Sequence, residues 1–129
     1  MSVDQSRLVL LYVEDELLVQ DVVELARREA GFEVMVAATG AEAMDALEAG
    51  SETFRAIITG VNLGDGPDGW DVARRGRELN QATPVVYMTG GSAHQWASKG
   101  VPRSVLIEKP FAPAQLVAAI SSLLMKTDT

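Results

Sequence analysis

Short apolar runs alternate with longer segments of helical periodicity five times along the 129-residue chain, and this alternation constrains the fold more than any other feature. The apolar runs are residues 8–13, 33–37, 56–59, 84–89 and 104–108. Runs such as LVLLYV and AIIT are apolar almost throughout, as expected for strands covered on both faces. Strands that alternate with helices predict an α/β fold with a parallel sheet, in which functional groups lie at the carboxyl ends of the strands.

Helical periodicity predicts five helices between and after these strands. The predicted segments are residues 16–30, 39–50, about 68–80, roughly 92–99, and a last helix that begins at residue 113. Thr39 and Glu42 are spaced as a capping box, and Pro113 is a favourable first-turn residue. The last helix has an apolar stripe that we expect to be buried: Leu116, Val117, Ile120, Leu123 and Leu124.

The balance of charges excludes several classes of partner. With 11 basic and 18 acidic residues, the formal net charge is −7, which argues against nucleic acid or an anionic membrane as the partner. The chain has no cysteine and one histidine, His94, so disulfides, thiolate metal sites and polyhistidine metal sites are excluded. No apolar run approaches the ~18 residues that a spanning helix needs, and the first residues lack the apolar region of a signal peptide. We therefore expect one acidic, cytoplasmic domain.

The residues that follow the predicted strands bring polar groups to one edge of the sheet. Glu14 and Asp15 follow the first strand, Thr89 ends the fourth, and Lys109 follows the fifth. Carboxylate oxygens at this density suit Mg²⁺, which takes one or two carboxylates and completes its shell with water or phosphate oxygens. A lysine and a hydroxyl beside such a metal suit the oxygens of a phosphoryl group.

Four motifs at these strand ends resemble the response regulator receiver of two-component signalling. They are VEDE, ITGVNLGDGPDGWDVARR, VVYMTG and EKPF, and the resemblance runs from about residue 7 to residue 124. It implies a flavodoxin-like three-layer sandwich with a five-stranded parallel sheet of order 2-1-3-4-5, forming a single domain over residues 1–129. Because the sequence ends soon after the fifth predicted helix, we expect a stand-alone receiver.

The resemblance also assigns roles to individual residues. It implies that Glu14, Asp15 and the backbone carbonyl of Asn62 bind Mg²⁺, and that Thr89 and Lys109 contact the phosphoryl group. It also implies a cis peptide bond between Lys109 and Pro110.

Two positions depart from the receiver pattern. The aspartate that accepts the phosphoryl group maps to Gly60, which has no side chain to phosphorylate and removes one carboxylate from the metal site. Asp65 and Asp68 are several residues into the following loop, too far along the chain to replace it readily. The aromatic switch residue of receivers maps to Leu106, which puts the usual coupling from Thr89 to the outer face in doubt.

These departures favour a signalling module, not an enzyme, that docks to a sensor histidine kinase or another signalling protein without phosphorylation, as a monomer or weak dimer. We expect weak Mg²⁺ binding, and we expect Lys109 to pair with Asp15 or Glu14, Asp15 being the better candidate because the first strand lies beside the third. One alternative is that Gly60 is an engineered or incidental change in a phosphorylatable receiver. Another is a flavodoxin-like flavin carrier, although the acids after the first strand would repel a flavin phosphate.

Overall fold

The computed structural model describes residues 8–14, 21, 24–25, 28 and 31–127, and its centre is a parallel sheet. The strands are β1 (Leu8–Val13), β2 (Phe32–Ala37), β3 (Phe54–Gly60), β4 (Val85–Thr89) and β5 (Val105–Glu108). Their order in the sheet is β2-β1-β3-β4-β5, as the resemblance implies. This order places the ends of β1 and β3 side by side at the centre of the sheet, with β4 next to β3.

The helices within the described residues follow the predicted order. They are α1 (Gly40–Gly50), α2 (Gly69–Leu79), α3 (Trp96–Lys99) and α4 (Pro113–Thr127). The predicted helix over residues 16–30 lies largely outside the described residues, although positions 21, 24, 25 and 28 are helical. The predicted helix over residues 92–99 is shorter than expected: a 3₁₀ turn, Ala93–Gln95, precedes α3, and neither Ser92 nor Gln95 caps these segments with its side chain.

Side-chain caps fix where α1 and α2 begin. The Thr39 hydroxyl accepts a hydrogen bond from the Glu42 amide at 3.1 Å, which confirms the predicted cap of α1. At α2, Asp68 and Asp71 form a complete capping box, with reciprocal side-chain to backbone bonds of 2.9 and 3.1 Å. The Asp68 carboxylate is therefore bonded to the first turn of α2.

The core lies in two layers, one on each face of the sheet. One layer contains Leu10, Tyr12, Ile58 and Met88 from the strands, with Leu116 and Ile120 from α4. The other contains Leu11, Val13, Ile57 and Tyr87 with residues of α1 and α2, including Trp70, which is 2% exposed. Of the predicted α4 stripe, Leu116, Val117 and Ile120 are buried and Leu123 is partly buried; the side chain of Leu124 lies outside the described residues.

Close backbone packing brings the start of α2 against the end of β3. A Cβ at Gly69 would lie 2.0 Å from the carbonyl oxygen of Gly60, so only glycine fits at this position. The Gly69 amide donates a hydrogen bond of 2.8 Å to the carbonyl of Val61. The loop that carries Asn62 is thereby held over the carboxyl edge of the sheet.

Candidate functional site

The centre of the site is a buried ion pair between the ends of β1 and β5. The Glu14 carboxylate is 6% exposed, and its Oε2 atom lies 2.8 Å from Nζ of Lys109, whose side chain is 26% exposed. The Glu14 amide donates to the carbonyl of Ala37, so the extended backbone of β1 continues to this residue. The Lys109–Pro110 peptide bond is cis, as predicted.

Glu14 fills the space next to Gly60 at the end of β3. A Cβ built on Gly60 would lie 2.8 Å from Oε2 of Glu14 and 3.2 Å from its Cδ. The first atom of a side chain at position 60 would therefore collide with the Glu14 carboxylate. The Glu14 carboxylate, which follows β1 and is bonded to Lys109, thus occupies the space that a side chain at position 60 of β3 would need.

Lys109 bonds to Glu14, which is one of its two predicted partners. We expected Asp15 to be the better candidate, and Asp15 lies outside the described residues. Because Gly60 contributes no side chain, the longer side chain of Glu14 reaches over β3 and meets the ammonium.

Thr89 lies at the end of β4, and its hydroxyl is bonded to its own loop, while its phosphoryl contact remains a prediction. The residue is 3% exposed at the end of β4. Its Oγ1 atom accepts hydrogen bonds from the amides of Ser92 and Gly91, at 2.9 and 3.3 Å. These bonds draw the loop after β4 over the sheet edge, and the Lys109 amide bonds to the Thr89 carbonyl at 2.8 Å. The fourth and fifth strand ends are therefore joined beside the ion pair.

The described residues include only part of the predicted Mg²⁺ site, because Asp15 lies outside them. No group of three or more His, Cys, Asp or Glu side chains within the described part of the chain could hold a metal ion. Glu14 is paired with Lys109, and Gly60 offers no carboxylate. Asn62 is exposed, and its side-chain amide donates to the Ser92 hydroxyl at 3.4 Å. The roles expected for Asp15 and the Asn62 carbonyl remain predictions.

A fixed tyrosine occupies the strand next to the predicted switch position. Leu106 on β5 is paired in register with Tyr87 on β4, and both belong to the same core layer. The Tyr87 ring packs against Trp70 at an interplanar angle of 56°, with centroids 4.7 Å apart, and its hydroxyl accepts a hydrogen bond from the Val101 amide at 3.0 Å. Burial raises the pKa of Tyr87 above its ordinary value, which keeps the hydroxyl neutral. The sequence motif VVYMTG contains this residue, but its role depends on contacts from distant segments.

A model of the response regulator receiver domain matches residues 10–121, which is most of the chain. The chain belongs to the response regulator receiver family. A receiver protein from Sinorhizobium medicae WSM419 is 38% identical, with a TM-score of 0.85 over 94% of this chain and 97% of that one. The receiver domain of the sensor histidine kinase PA1611 from Pseudomonas aeruginosa PAO1, solved with a magnesium ion in its active-site cleft, is 23% identical and shares the fold (TM-score 0.71, covering 92% of this chain and 98% of that one).

Relatives known from their sequences are longer proteins. The transcriptional regulatory protein CusR of Escherichia coli strain K12 is 31% identical over 91% of this receiver and 51% of its own length. The receiver thus spans about half the length of the curated relatives that it matches. No helix among the described residues is long and apolar enough to cross a membrane. Membership in the receiver family favours signalling over the flavin carrier that shares this architecture.

Proposed function

We propose that this receiver docks to a sensor histidine kinase or another signalling protein without accepting a phosphoryl group at position 60. The observation that carries the proposal is the Glu14 carboxylate, which lies beside Gly60 and is paired with Lys109 at 2.8 Å. Because the Glu14 carboxylate already neutralises the charge of Lys109, a phosphoryl group is not required for that purpose.

The ion pair also gives the pocket a fixed arrangement. A buried carboxylate that loses its partner is costly, so the Glu14–Lys109 pair holds the ends of β1 and β5 together. Thr89 is engaged by the amides of Gly91 and Ser92, and Leu106 cannot act as an aromatic rotor. The surface that such a receiver presents to a partner would therefore not depend on phosphorylation.

The remaining parts of the proposal follow from charge and from the donor set. We propose weak Mg²⁺ binding, because Glu14 is shared with Lys109 and position 60 lacks a carboxylate. We propose that the protein acts in the cytoplasm as a monomer or weak dimer, does not act as an enzyme and does not bind nucleic acid. The net charge of −7 supports the last point.

Intact mass spectrometry after incubation with acetyl phosphate and Mg²⁺ tests the proposal. We expect no acid-labile phosphoryl group on the natural sequence, and Gly60→Asp is the matched variant that restores the acceptor. A stable, Mg²⁺-dependent gain of one phosphoryl group on the natural sequence would contradict the proposal and would require another acceptor, such as Asp15 or Asp65.

One observation favours a second candidate, in which Gly60 is an incidental or engineered change in a phosphorylatable receiver. The φ angle of Gly60 is not in the left-handed region, so the backbone of β3 accepts an aspartate. The obstacle is the carboxylate end of Glu14, which is the mobile end of a long side chain. Rapid, stoichiometric phosphorylation of Gly60→Asp would support this candidate, whereas slow or partial phosphorylation would support a pocket adapted to glycine.

A further inference from the structure

A second polar site lies at the opposite edge of the sheet from Glu14 and Lys109. A cavity of about 540 Å³ opens there, beside the amino ends of β4 and β5. Its walls are Arg77, Ala82, Pro84, Arg103, Ser104, Val105 and Leu123. This volume is within the range of small-molecule pockets, which combine apolar walls with a few placed polar groups.

The two arginines of this cavity, Arg77 on α2 and Arg103 in the turn before β5, differ from the neighbouring arginines of α2. Arg74 is paired with Asp71, and Arg75 with Glu48 and Glu78. Within the part of the chain that the structure describes, neither Arg77 nor Arg103 forms an ion pair with an acid. In a protein with a net charge of −7, a cavity with two arginines and no ion pair to either among the described residues calls for a physical explanation.

Backbone carbonyls hold the Arg77 guanidinium in place without using all of its N–H donors. Its guanidinium donates to the carbonyls of Thr83 and Pro102, each at 2.6 Å, and of Arg103 at 3.4 Å. These bonds use three of the five N–H groups of a guanidinium. Burial, followed by the charge of Arg103, lowers the pKa of Arg77 from its ordinary value. The head group is thus fixed, partly desolvated and repelled by a like charge.

Arg103 has an unusual backbone conformation. Its φ angle is +60°, in the left-handed region, where residues other than glycine and asparagine are uncommon. Its side chain donates one hydrogen bond, of 3.2 Å, to the carbonyl of Gln81 and is otherwise exposed. The backbone conformation at this position favours glycine, so the presence of an arginine indicates a role for its side chain.

We propose that this cavity binds a small organic anion, with a carboxylate or phosphate between Arg77 and Arg103 and an apolar body against Pro84, Val105 and Leu123. A guanidinium fork matches the planar oxygens of a carboxylate and the oxygens of a phosphate. The bound anion would supply the negative charge that the residues lining this cavity lack. The site is separate from the pocket at Gly60 and does not depend on the function proposed for that pocket.

Benzoate is the probe, and amide chemical shifts of the full chain are the readout. We expect saturable shifts at Arg103, Ser104 and Val105. Acetate, which has the charge without the apolar body, and benzyl alcohol, which has the apolar body without the charge, should bind at least about tenfold more weakly. Arg103→Gln should weaken benzoate binding by about tenfold, because a hydrogen bond to a charged group is lost.

Arg74→Gln is the control, because it removes the same charge from a position on α2 that does not line the cavity. It should leave the affinity for benzoate unchanged. The proposal is overturned if benzoate shifts Gly60 and Lys109 instead, if acetate or benzyl alcohol binds as tightly as benzoate, or if Arg103→Gln binds as the natural sequence does. A lack of saturable shifts at about 10 mM benzoate would overturn it as well, since small ligands in formed pockets reach this affinity.

Discussion

The ammonium of Lys109 neutralises the buried Glu14 carboxylate, and its contribution to the free energy of unfolding can be measured. Removing it in Lys109→Ala leaves the Glu14 carboxylate, 6% exposed, without the ammonium that it faces. Breaking one side of a buried pair costs several kcal/mol, and the partial exposure of Lys109 reduces that cost, so we expect a loss of about 2 kcal/mol in the free energy of unfolding. Urea unfolding at neutral pH measures it.

A second substitution separates charge from packing in that experiment. Glu14→Gln in the Lys109→Ala background removes the buried charge and keeps nearly the same shape. We expect it to recover a large part of the lost stability, because a neutral amide is far less costly to bury than a carboxylate. If the double variant is no more stable than Lys109→Ala, the loss comes from packing, and the electrostatic explanation of the pair is wrong.

The crowding between Glu14 and position 60 makes a prediction about restoring the acceptor. In Gly60→Asp, the new Cβ would lie 2.8 Å from Oε2 of Glu14, so the carboxylate must move first. Adding Glu14→Asp shortens that side chain by one methylene and frees the space. We therefore expect Gly60→Asp with Glu14→Asp to gain more phosphoryl mass from acetyl phosphate in the same time than Gly60→Asp alone. Equal gains would show that Glu14 is no barrier.

At the scale of elements, the capping box of α2 positions the loop that follows β3. The Asp68 carboxylate accepts from the Asp71 amide at 2.9 Å, and its removal leaves a helix amide without its partner. We expect Asp68→Ala to lower the free energy of unfolding by about 1 kcal/mol. Asp65→Ala is the control, because Asp65 is exposed in the same loop, and its unfolding midpoint in urea should stay at that of the natural sequence.

Asp71 gives this helix start a pH dependence. The hydrogen bond from the Asp68 amide, aided by Arg74, lowers the pKa of Asp71 below its ordinary value of 3.8. The stabilisation is therefore fully present above pH 3.8 and is lost as the pH falls through the lowered value. Asp71→Asn should be slightly less stable than the natural sequence at about pH 6, and the difference should shrink as the pH falls to about 3. A difference that grows on acidification would contradict this cause.

Elements could be predicted from the sequence where the signal is local. The alternation of apolar runs predicts the strands to within about two residues. The signal is strongest for strands such as β3 and β4, which are buried along almost their whole length and are therefore apolar in composition. Thr39 and Asp68 mark helix starts through side chains that bond three residues ahead. The predicted helix over residues 92–99 divides into a 3₁₀ turn and the short α3, and neither segment has a side-chain cap that could mark its start in the sequence.

At the scale of the whole molecule, the site could be predicted only in part. Topology alone brings Glu14, Thr89 and Lys109 to one edge of the sheet, and the sequence was sufficient to expect this. The pairing of Glu14 with Lys109 could be predicted only as one of two possibilities, because it depends on how far the Glu14 side chain reaches over Gly60. The cavity at Arg77 could not be predicted from the sequence. The hydrogen-bond partners of Arg77 are the backbone carbonyls of Thr83 and Pro102, which no side-chain pattern reveals.

Metal binding tests the whole arrangement, because a ligand that binds only the folded state raises its stability. If Lys109 and Gly60 together weaken the site to a dissociation constant of about 10 mM, then about 5 mM Mg²⁺ adds only about 0.2 kcal/mol. The melting temperature should then rise by about 1 °C, beyond the effect of NaCl at matched ionic strength. The variant with Gly60→Asp and Glu14→Asp regains a third carboxylate beside Asp15 and should rise further. A rise of about 5 °C or more in the unsubstituted chain would mean that Glu14 leaves Lys109 for the metal, and the pocket fixed by the Glu14–Lys109 pair, as proposed for this receiver, would then be wrong.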